Sequence, residues 1–515
     1  MSKSYAEFMD EITPDELYEG LLAYGFFAER IPPVFTAIPF FNYCKTAQFS
    51  PHWRDYISFR VMRNVKIPRV MGIPNPFNYQ RLCLELKNDW KEICKHFHAT
   101  TDGQEYCVSR VHIRKRNSQK SIFEMNYKDW SVDGNPETDL LIRRNDASRV
   151  LVCADISTCF PSIYTHSLPW ALVGKSVAKL NTKLSEWYNR IDRSCSDMRN
   201  GETHGILIGP HASNLLAEII LTAVDRELYD KGHRFLRNID DYACYAASYE
   251  QAQSFLNDLE EALSKFDLLL NHKKTRVLEL PIEIEKHWKN KLLDLPTIGK
   301  FGVVDYTQIN KYIDVMLGLA RESGDDAIIK YAIKKLTGER LSNNAKEIAS
   351  KRFMHMAILN PYMLHFMDEF VFEMCDMTVN QIKLFSDAIY REAKKTNNYE
   401  GLCYSLYYAI KYNFELEAFK VDYVAEQEYV MKTKDCVLLT ITWVYFMKIN
   451  NWNRTATQVK PLNNEAMALK KTDMERYWLF CYEALSFGSL ADDWRNMKKA
   501  GISFIRQDLI SAGKP

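Results

Sequence analysis

FLRNIDDYACYAAS, Phe235 to Ser248, is the stretch whose reading decides the fold. Two short apolar runs flank the adjacent aspartates Asp240 and Asp241. Phe235, Leu236 and Ile239 read as one strand and Tyr242 to Ala247 as its return, because an Asp-bearing turn between apolar runs is a hairpin signal. Taken alone, an Asp-Asp turn is most simply a solvated turn, since aspartate tolerates turn conformations. The competing reading is a metal site. Two carboxylates on a rigid turn suit a hard divalent cation such as Mg²⁺. The choice depends on whether the chain supplies a further carboxylate, a phosphate grip and a sugar pocket.

The neighbouring segments bear on that choice. Val150 to Ala154 is a continuous apolar run ending in Asp155, and it reads as a buried strand. Leu215, Leu216, Ile219, Ile220, Val224 and Leu228 have helical spacing, so 213 to 230 is an amphipathic helix. Ser248 and Gln251 form a capping box that starts another helix, with Ala252, Phe255, Leu256, Leu259, Leu263 and Phe266 as its buried stripe. Leu268 to Leu270 reads as a further strand. The order strand, helix, hairpin, helix, strand gives an α+β sheet with helices on one face.

Two-metal nucleotidyl transfer needs carboxylates from different elements around ions about 3.5–4 Å apart. Asp155, at a strand end, is the natural partner of the Asp240 turn. Ile156 can lend a backbone carbonyl to a metal, and Phe160 would lie under the sugar of a bound nucleotide. GILIGPHASN, 205 to 214, precedes a helix. Gly209 there permits close backbone approach, and a loop entering a helix N-terminus favours phosphate; its plain reading is a simple turn. LNHKKT, 270 to 275, carries Lys274. A lysine near such a site can protonate departing pyrophosphate, whereas a lysine by itself is a surface residue.

The chain's 515 residues allow two to four domains, and 47% hydrophobic residues allow sizeable cores. Lys and Arg number 67 against 66 acidic residues, so no global basic field attracts nucleic acid. Any such contact must be local. The 12 cysteines show no CxxC or CxH spacing, which argues against zinc and a disulfide framework. Cys153, Cys159 and Cys244 lie in apolar runs and read as buried reduced thiols, which implies a cytoplasmic protein. The N-terminus is acidic and polar, unlike a signal peptide. Cys436 to Met447 is too short to span a bilayer and reads as a buried helix. His96 and His98 read as surface residues. Most of the 29 tyrosines read as packing residues.

Glu16 to Phe27 has a helical pattern. IPRVMGIPNPFNYQRL, 67 to 82, forbids a long helix before about Asn78, after which Asn78 to His96 reads as one helix. Residues 109 to 145 carry Arg110, His112, Arg114, Lys115, Arg116, Lys120, Arg143 and Arg144, a solvated basic face on its simplest reading. A turn is expected around Gly134 and Pro136. Beyond about residue 285, helical stripes follow one another, as in an irregular α-solenoid.

In order and spacing over about 200 residues, these segments resemble the palm motifs of a reverse transcriptase. Asp155 to Phe160 resembles the first carboxylate motif. Gly205 to Ser213 resembles the loop that contacts template and sugar. Arg237 to Asp241 resembles the paired-aspartate hairpin, and Leu270 to Thr275 the lysine motif that follows it. Arg69 to Pro74 resembles the fingers segment whose arginine holds the triphosphate. FPSIYTHSLPWALVGK at 160 to 175, GILIGPHASNLLAEIIL at 205 to 221 and GIPNPFNYQRL at 72 to 82 are similar to the defence-associated, abortive-infection reverse transcriptases of bacteria (AbiK-like).

That resemblance implies an α+β fingers-palm core, residues 1–285, followed by an all-α helical-repeat (HEAT-like) domain, residues 286–515. It implies metal ligation by Asp155, Asp240 and Asp241 with the Ile156 carbonyl, taking Mg²⁺ or alternatively Mn²⁺. It places Arg69, Lys66, Phe160, Gly209 and Ser213 around the nucleotide and Lys274 at the pyrophosphate. It further implies a homo-oligomer that builds single-stranded DNA from deoxynucleoside triphosphates without a template. A protein tyrosine sometimes serves as primer, leaving product attached to the protein, and the role is phage defence.

Three positions depart from the pattern. Asn238 replaces the aromatic before the aspartate pair, Ile208 the glutamine before the loop glycine, and Asn214 the proline after the loop serine. The first two positions normally touch primer end or sugar and template, which fits non-templated synthesis. A bulky Phe160 under the sugar favours deoxyribose by sterics; otherwise it is a core residue. RNA-templated reverse transcription and a non-catalytic nucleic-acid-binding scaffold are the alternatives.

Overall fold

The computed structural model describes residues 3–47, 49–63, 67–110, 113–115, 121–125, 140–141, 147–282, 287–293, 302–325 and 327–511. His112, Arg116, Lys120, Gly134, Pro136, Arg143 and Arg144 of the basic stretch lie outside them. The chain forms two compact units. One comprises Met1–Ala28, Thr36–Ile57 and Gly72–Ile282; the other comprises Glu29–Phe35, Ser58–Met71 and Glu283–Pro515.

The first unit is built on a four-stranded antiparallel sheet. In chain order the strands of the protein are β1 (Ile57–Met62), β2 (Pro68–Ile73), β3 (Ile113–Lys115), β4 (Phe123–Met125), β5 (Val150–Asp155), β6 (Phe235–Asn238), β7 (Asp241–Ala246) and β8 (Arg276–Glu279). The sheet has the order β6-β7-β5-β8. β5 therefore lies inside the sheet, and because both faces of that sheet are covered its sequence is continuously apolar. Its register pairs Val152 with Cys244 and Asp155 with Asp241. Directly opposed residues share a face, so Asp155 and Asp241 stand side by side.

Both faces of the sheet are covered. Leu151, Leu236 and Tyr245 pack with Leu140, Tyr106 and Leu280 on one face. The other face meets helices. In chain order these helices are α1 (Tyr5–Asp10), α2 (Pro14–Glu19), α3 (Ile38–Tyr43), α4 (Pro76–Asn88), α5 (Trp90–Thr101), α6 (Cys159–Ser162), α7 (Ser167–Val173), α8 (Lys175–Leu180), α9 (Trp187–Asp197), α10 (His211–Asp230) and α11 (Tyr249–Ser264). α11 packs on β5 and β7, and α10 packs on α5, α7 and α11.

Arg237 of β6 is fully buried, as are Glu218 and Asp225 of α10. Its Nη1 and Nη2 donate to the two Glu218 carboxylate oxygens at 2.7 and 3.0 Å, and its Nε donates to Asp225 Oδ2 at 2.6 Å. Ser109 Oγ also donates to Asp225, and the Tyr5 hydroxyl to Glu218. Glu218 and Asp225 lie two turns apart on one helix face, so both reach the same guanidinium. Burial pushes the Asp225 carboxyl up, against the pull of Arg237. The same burial works against the Arg237 charge, yet Asp225 and Glu218 hold it well above the ordinary arginine range.

Several sequence expectations are corrected. Ile239 is a turn residue at φ +60, not part of the strand. Leu268–Leu270 is not a strand. Leu270 makes a single bridge to Ile156, and the paired strand is β8. The helix over 78–96 is two helices. Pro76 occupies the first turn of α4 after the Asn75 cap, where a proline loses no hydrogen bond. The break falls at Asp89, whose carboxylate accepts from Arg190 Nη2 at 2.9 Å. His96 is buried, its Nε2 against Ile219 O at 2.7 Å, and burial lowers its pKa to about 4. Cys153 is half-buried. Gln251 caps α11 by accepting from Ala247 N, one residue before Ser248.

In the second unit, the main helices are α12 (His287–Leu293), α13 (Tyr306–Ser323), α14 (Ala327–Leu336), α15 (Asn343–Leu359), α16 (Val379–Thr396), α17 (Tyr399–Tyr412), α18 (Glu417–Thr433), α19 (Cys436–Ile449), α20 (Lys460–Asp473), α21 (Trp478–Ala484), α22 (Asp492–Lys499) and α23 (Gln507–Ser511). α16 packs on α17, α17 on α19, and α19 on α21. α19 is buried from Cys436 to Met447. Glu400 of α17 is buried and accepts from Arg30 Nη2 at 2.7 Å and Met62 N at 2.6 Å. No helix among the described residues is long and apolar enough to cross a membrane.

Arg237→Ala is expected to destabilise the first unit by about 3–5 kcal/mol, because it leaves two buried carboxylates without their counter-charge. Urea unfolding, followed by the loss of protection of the β5–β7 amides, measures the change.

Candidate active site

β6 and β7 are joined through the two-residue turn Ile239–Asp240. A β-branched residue at positive φ is disfavoured and persists only where its surroundings hold it. Two bonds do so. Arg237 Nη1 donates to Ile239 O at 2.9 Å, and Ile156 N donates to Asp240 O at 3.0 Å. The turn is thereby fixed to α10 from below and to the end of β5 from the side.

The consequence is a three-carboxylate cluster. Ligand oxygens of Asp155, Asp240 and Asp241 all lie within 4.8 Å of one another. Asp155 is buried, Asp240 half-buried and Asp241 exposed, so the cluster opens outward through the hairpin. Three carboxylates from two elements form a hard oxygen donor set that fits divalent cations such as Mg²⁺ or Mn²⁺.

Residues 269–275 close the other side. Asn271 N donates to Asp155 O, and Asn271 Nδ2 donates to Asp155 Oδ1 at 2.8 Å. Lys274 Nζ donates to Asp155 Oδ2 at 2.7 Å. This bond is the main reason the Lys274 ammonium sits above the ordinary lysine range. Each oxygen of Asp155 thus accepts one hydrogen bond and keeps a lone pair for a metal. Asn271 is a site residue that the sequence reading missed. Its proximity to Lys274 in the sequence was the available signal. The Arg237–Glu218–Asp225 network was also missed, although acidic residues on the buried stripe of α10 marked it.

Phe160, on α6, is half-buried, and its carbonyl accepts from Ile206 N at 2.9 Å. Gly205 N donates to Ile163 O at 2.7 Å. The 205–213 loop therefore runs beside the segment that carries Phe160. Gly209 has φ +130, a conformation a side chain would strain. Ser213 is buried in the first turn of α10. Gly72 N donates to Ile208 O at 2.8 Å, and a Cβ on Gly72 would lie 3.0 Å from the Leu207 side chain. Glycine thus permits the end of β2 to meet the loop. Asn238 closes β6 opposite Asp241. Arg69 is on β2 in the stretch assigned to the second unit. Lys66 lies outside the described residues.

Residues 94–294 match the family described as reverse transcriptase (RNA-dependent DNA polymerase). This segment contains every element of the carboxylate cluster. No curated protein sequence matches the chain. Among solved structures it is similar to telomerase from Candida tropicalis in complex with a TWJ fragment of telomeric RNA, at 12% identity and TM-score 0.31 over 82% of this chain and 66% of that one. It is also similar to the Candida albicans telomerase with such a fragment, at 12% identity and TM-score 0.29, over 68% of this chain and 63% of that chain. The chain thus spans just under two thirds of the length of these two structures.

Mn²⁺ binding, followed by the loss of its free-ion EPR signal, tests the cluster. Asp240→Asn is expected to weaken binding at least tenfold. Lys274→Ala, which releases Asp155 Oδ2, is expected to strengthen it severalfold.

Proposed function

We propose that the chain is a DNA polymerase of reverse-transcriptase type that adds deoxynucleotides at Asp155, Asp240 and Asp241. The convergence of these three carboxylates, from a strand end and a hairpin, within 4.8 Å carries the reading. Its domain arrangement is a fingers-palm core over 1–285 and a helical-repeat domain over 286–515.

A primer hydroxyl attacks the α-phosphorus, an O–P bond forms, and the bond to pyrophosphate breaks. Asp155 and Asp240, with Asp241 and the Ile156 carbonyl assisting, would hold Mg²⁺, which supplies charge neutralisation for the attacking and leaving oxygens. Lys274 stays protonated through its bond to Asp155 and is the candidate proton donor to pyrophosphate. Phe160 lies under the deoxyribose and excludes a 2′-hydroxyl by its bulk. Gly209 and Ser213 form the floor; the assignment of Arg69 and Lys66 to the triphosphate rests on the sequence resemblance alone.

Asn238 and Ile208, at positions that ordinarily touch primer end and template, support template-independent synthesis. Tyrosine priming, homo-oligomerisation and abortive-infection defence against phage are part of the same proposal and rest on the sequence resemblance. The second reading is RNA-templated synthesis, favoured by the description of the family that residues 94–294 match.

Purified protein given each labelled dNTP with Mg²⁺ and no nucleic acid distinguishes them. Non-templated activity predicts incorporation, with label that stays on the protein in denaturing gels if a tyrosine is the primer. Incorporation only with RNA template and primer selects the second reading. Asp155→Asn is expected to lower incorporation at least a thousandfold, and Phe160→Ala to admit ribonucleotides. Unchanged incorporation by Asp155→Asn would refute this assignment.

A further inference from the structure

Between the Phe160 segment and the 205–213 loop, the first unit inserts α7, α8 and α9. These helices and the turns around them line an open cleft of about 440 Å³, within the size range of small-ligand sites. Tyr164, His166, Trp170, Lys179, Asp192 and Arg193 are among the residues that line it. Nothing in the polymerase chemistry above uses them.

The walls are aromatic. The Tyr164 ring meets His166 at 4.8 Å and Trp170 at 5.7 Å, in both cases edge to face. The rims are cationic. Lys175 Nζ sits 3.9 Å from the Trp170 ring centre, and the Arg193 guanidinium lies 5.4 Å from that of Trp53. Trp53 is 56% exposed and abuts Gly201, which also lines the cleft. Lys179, which lines the cleft, is exposed. His166 Nδ1 is held by Asp192 Oδ2 at 2.5 Å, which fixes its ring. That bond is the main cause that raises the His166 pKa.

The local charge departs from that of the whole chain. Residues 174–193 carry five Lys or Arg against two acidic residues, whereas the chain's net charge is +1; Arg190 is paired with Glu85 and Asp89 and Arg193 with Asp197, so the excess rests on Lys175, Lys179 and Lys183. Exposed rings interleaved with cations are the means by which proteins hold unpaired bases and their backbone, without reading sequence. A protein partner would use the exposed Leu180 and Leu184 instead, but the cationic excess favours a polyanion.

We propose that this cleft is a second nucleic-acid site, which seats a nucleotide of a single strand with its base on the Tyr164–Trp170 wall and its phosphate beside His166, Lys179 and Arg193. It goes beyond the polymerase reading and does not require it, since binding is measured without turnover. DNA and RNA share this chemistry, and separate oligonucleotides tell them apart.

Fluorescence anisotropy of labelled (dT)12 and (rU)12 with the full chain, without dNTPs, is the test. Trp170→Ala with Lys179→Glu is expected to weaken binding of one or both strands at least tenfold. Whichever strand loses more is the natural occupant. Lys179→Gln alone, at an exposed position, keeps the test valid if the first variant misfolds. It is expected to lower the slope of log affinity against log salt by roughly 0.7 for each phosphate that is no longer neutralised. Photocrosslinking with 5-iodouracil strands is expected to mark 164–193. Affinity unchanged within twofold, no strand binding at all, or crosslinks confined elsewhere would overturn the proposal. So would a variant that alters only self-association of the chain, since the patch would then be a protein interface.

Discussion

The buried Arg237 guanidinium is the constraint on which the site depends. It joins the sheet to α10 through Glu218 and Asp225 and, through Nη1, holds the carbonyl of Ile239. A buried ion network of this kind is weak support for stability, because desolvation offsets much of the attraction. Its effect lies in placement. The guanidinium has fixed donor directions, so β6, α10 and the turn cannot shift independently.

Placement is what the chemistry requires. Asp155 sits at the end of a strand buried between two neighbours, and register alone brings Asp241 opposite it. Asp240 is different, because it occupies a turn that a β-branched residue at positive φ disfavours. Arg237 and Ile156 hold that turn from two directions. Asn271 and Lys274 complete the surround by donating to the Asp155 oxygens. The carboxylates are thus preorganised by backbone pairing and by one buried cation.

Much of this was legible in the sequence, for definable reasons. The strand over 150–155, the hairpin and the helices after Ser248 follow from apolar period and capping, which are local signals. The aspartates stood out because their apolar flanks had no other use for them. What was illegible was long-range. A local apolar run at Leu268–Leu270 mimics a strand, but the partner it lacks is decided by where β8 pairs. The helix over 78–96 breaks at Asp89, whose backbone is at φ −104 and ψ 15 and whose carboxylate is held by Arg190, about a hundred residues on. His96 reads as polar surface until α10 supplies the Ile219 carbonyl. The role of Arg237 needed two acidic residues on a different element, and the sequence showed only their spacing.

The most direct measurement compares the wild type with Arg237→Met combined with Glu218→Gln and Asp225→Asn, which removes the network without leaving buried charge. Buried ion networks can be replaced by neutral residues without loss of folding. In a variant that retains its melting temperature, the account predicts that Mn²⁺ affinity and labelled dNTP incorporation both fall at least tenfold, because the Ile239–Asp240 turn loses its hold. A folded variant with wild-type Mn²⁺ affinity and incorporation would contradict it.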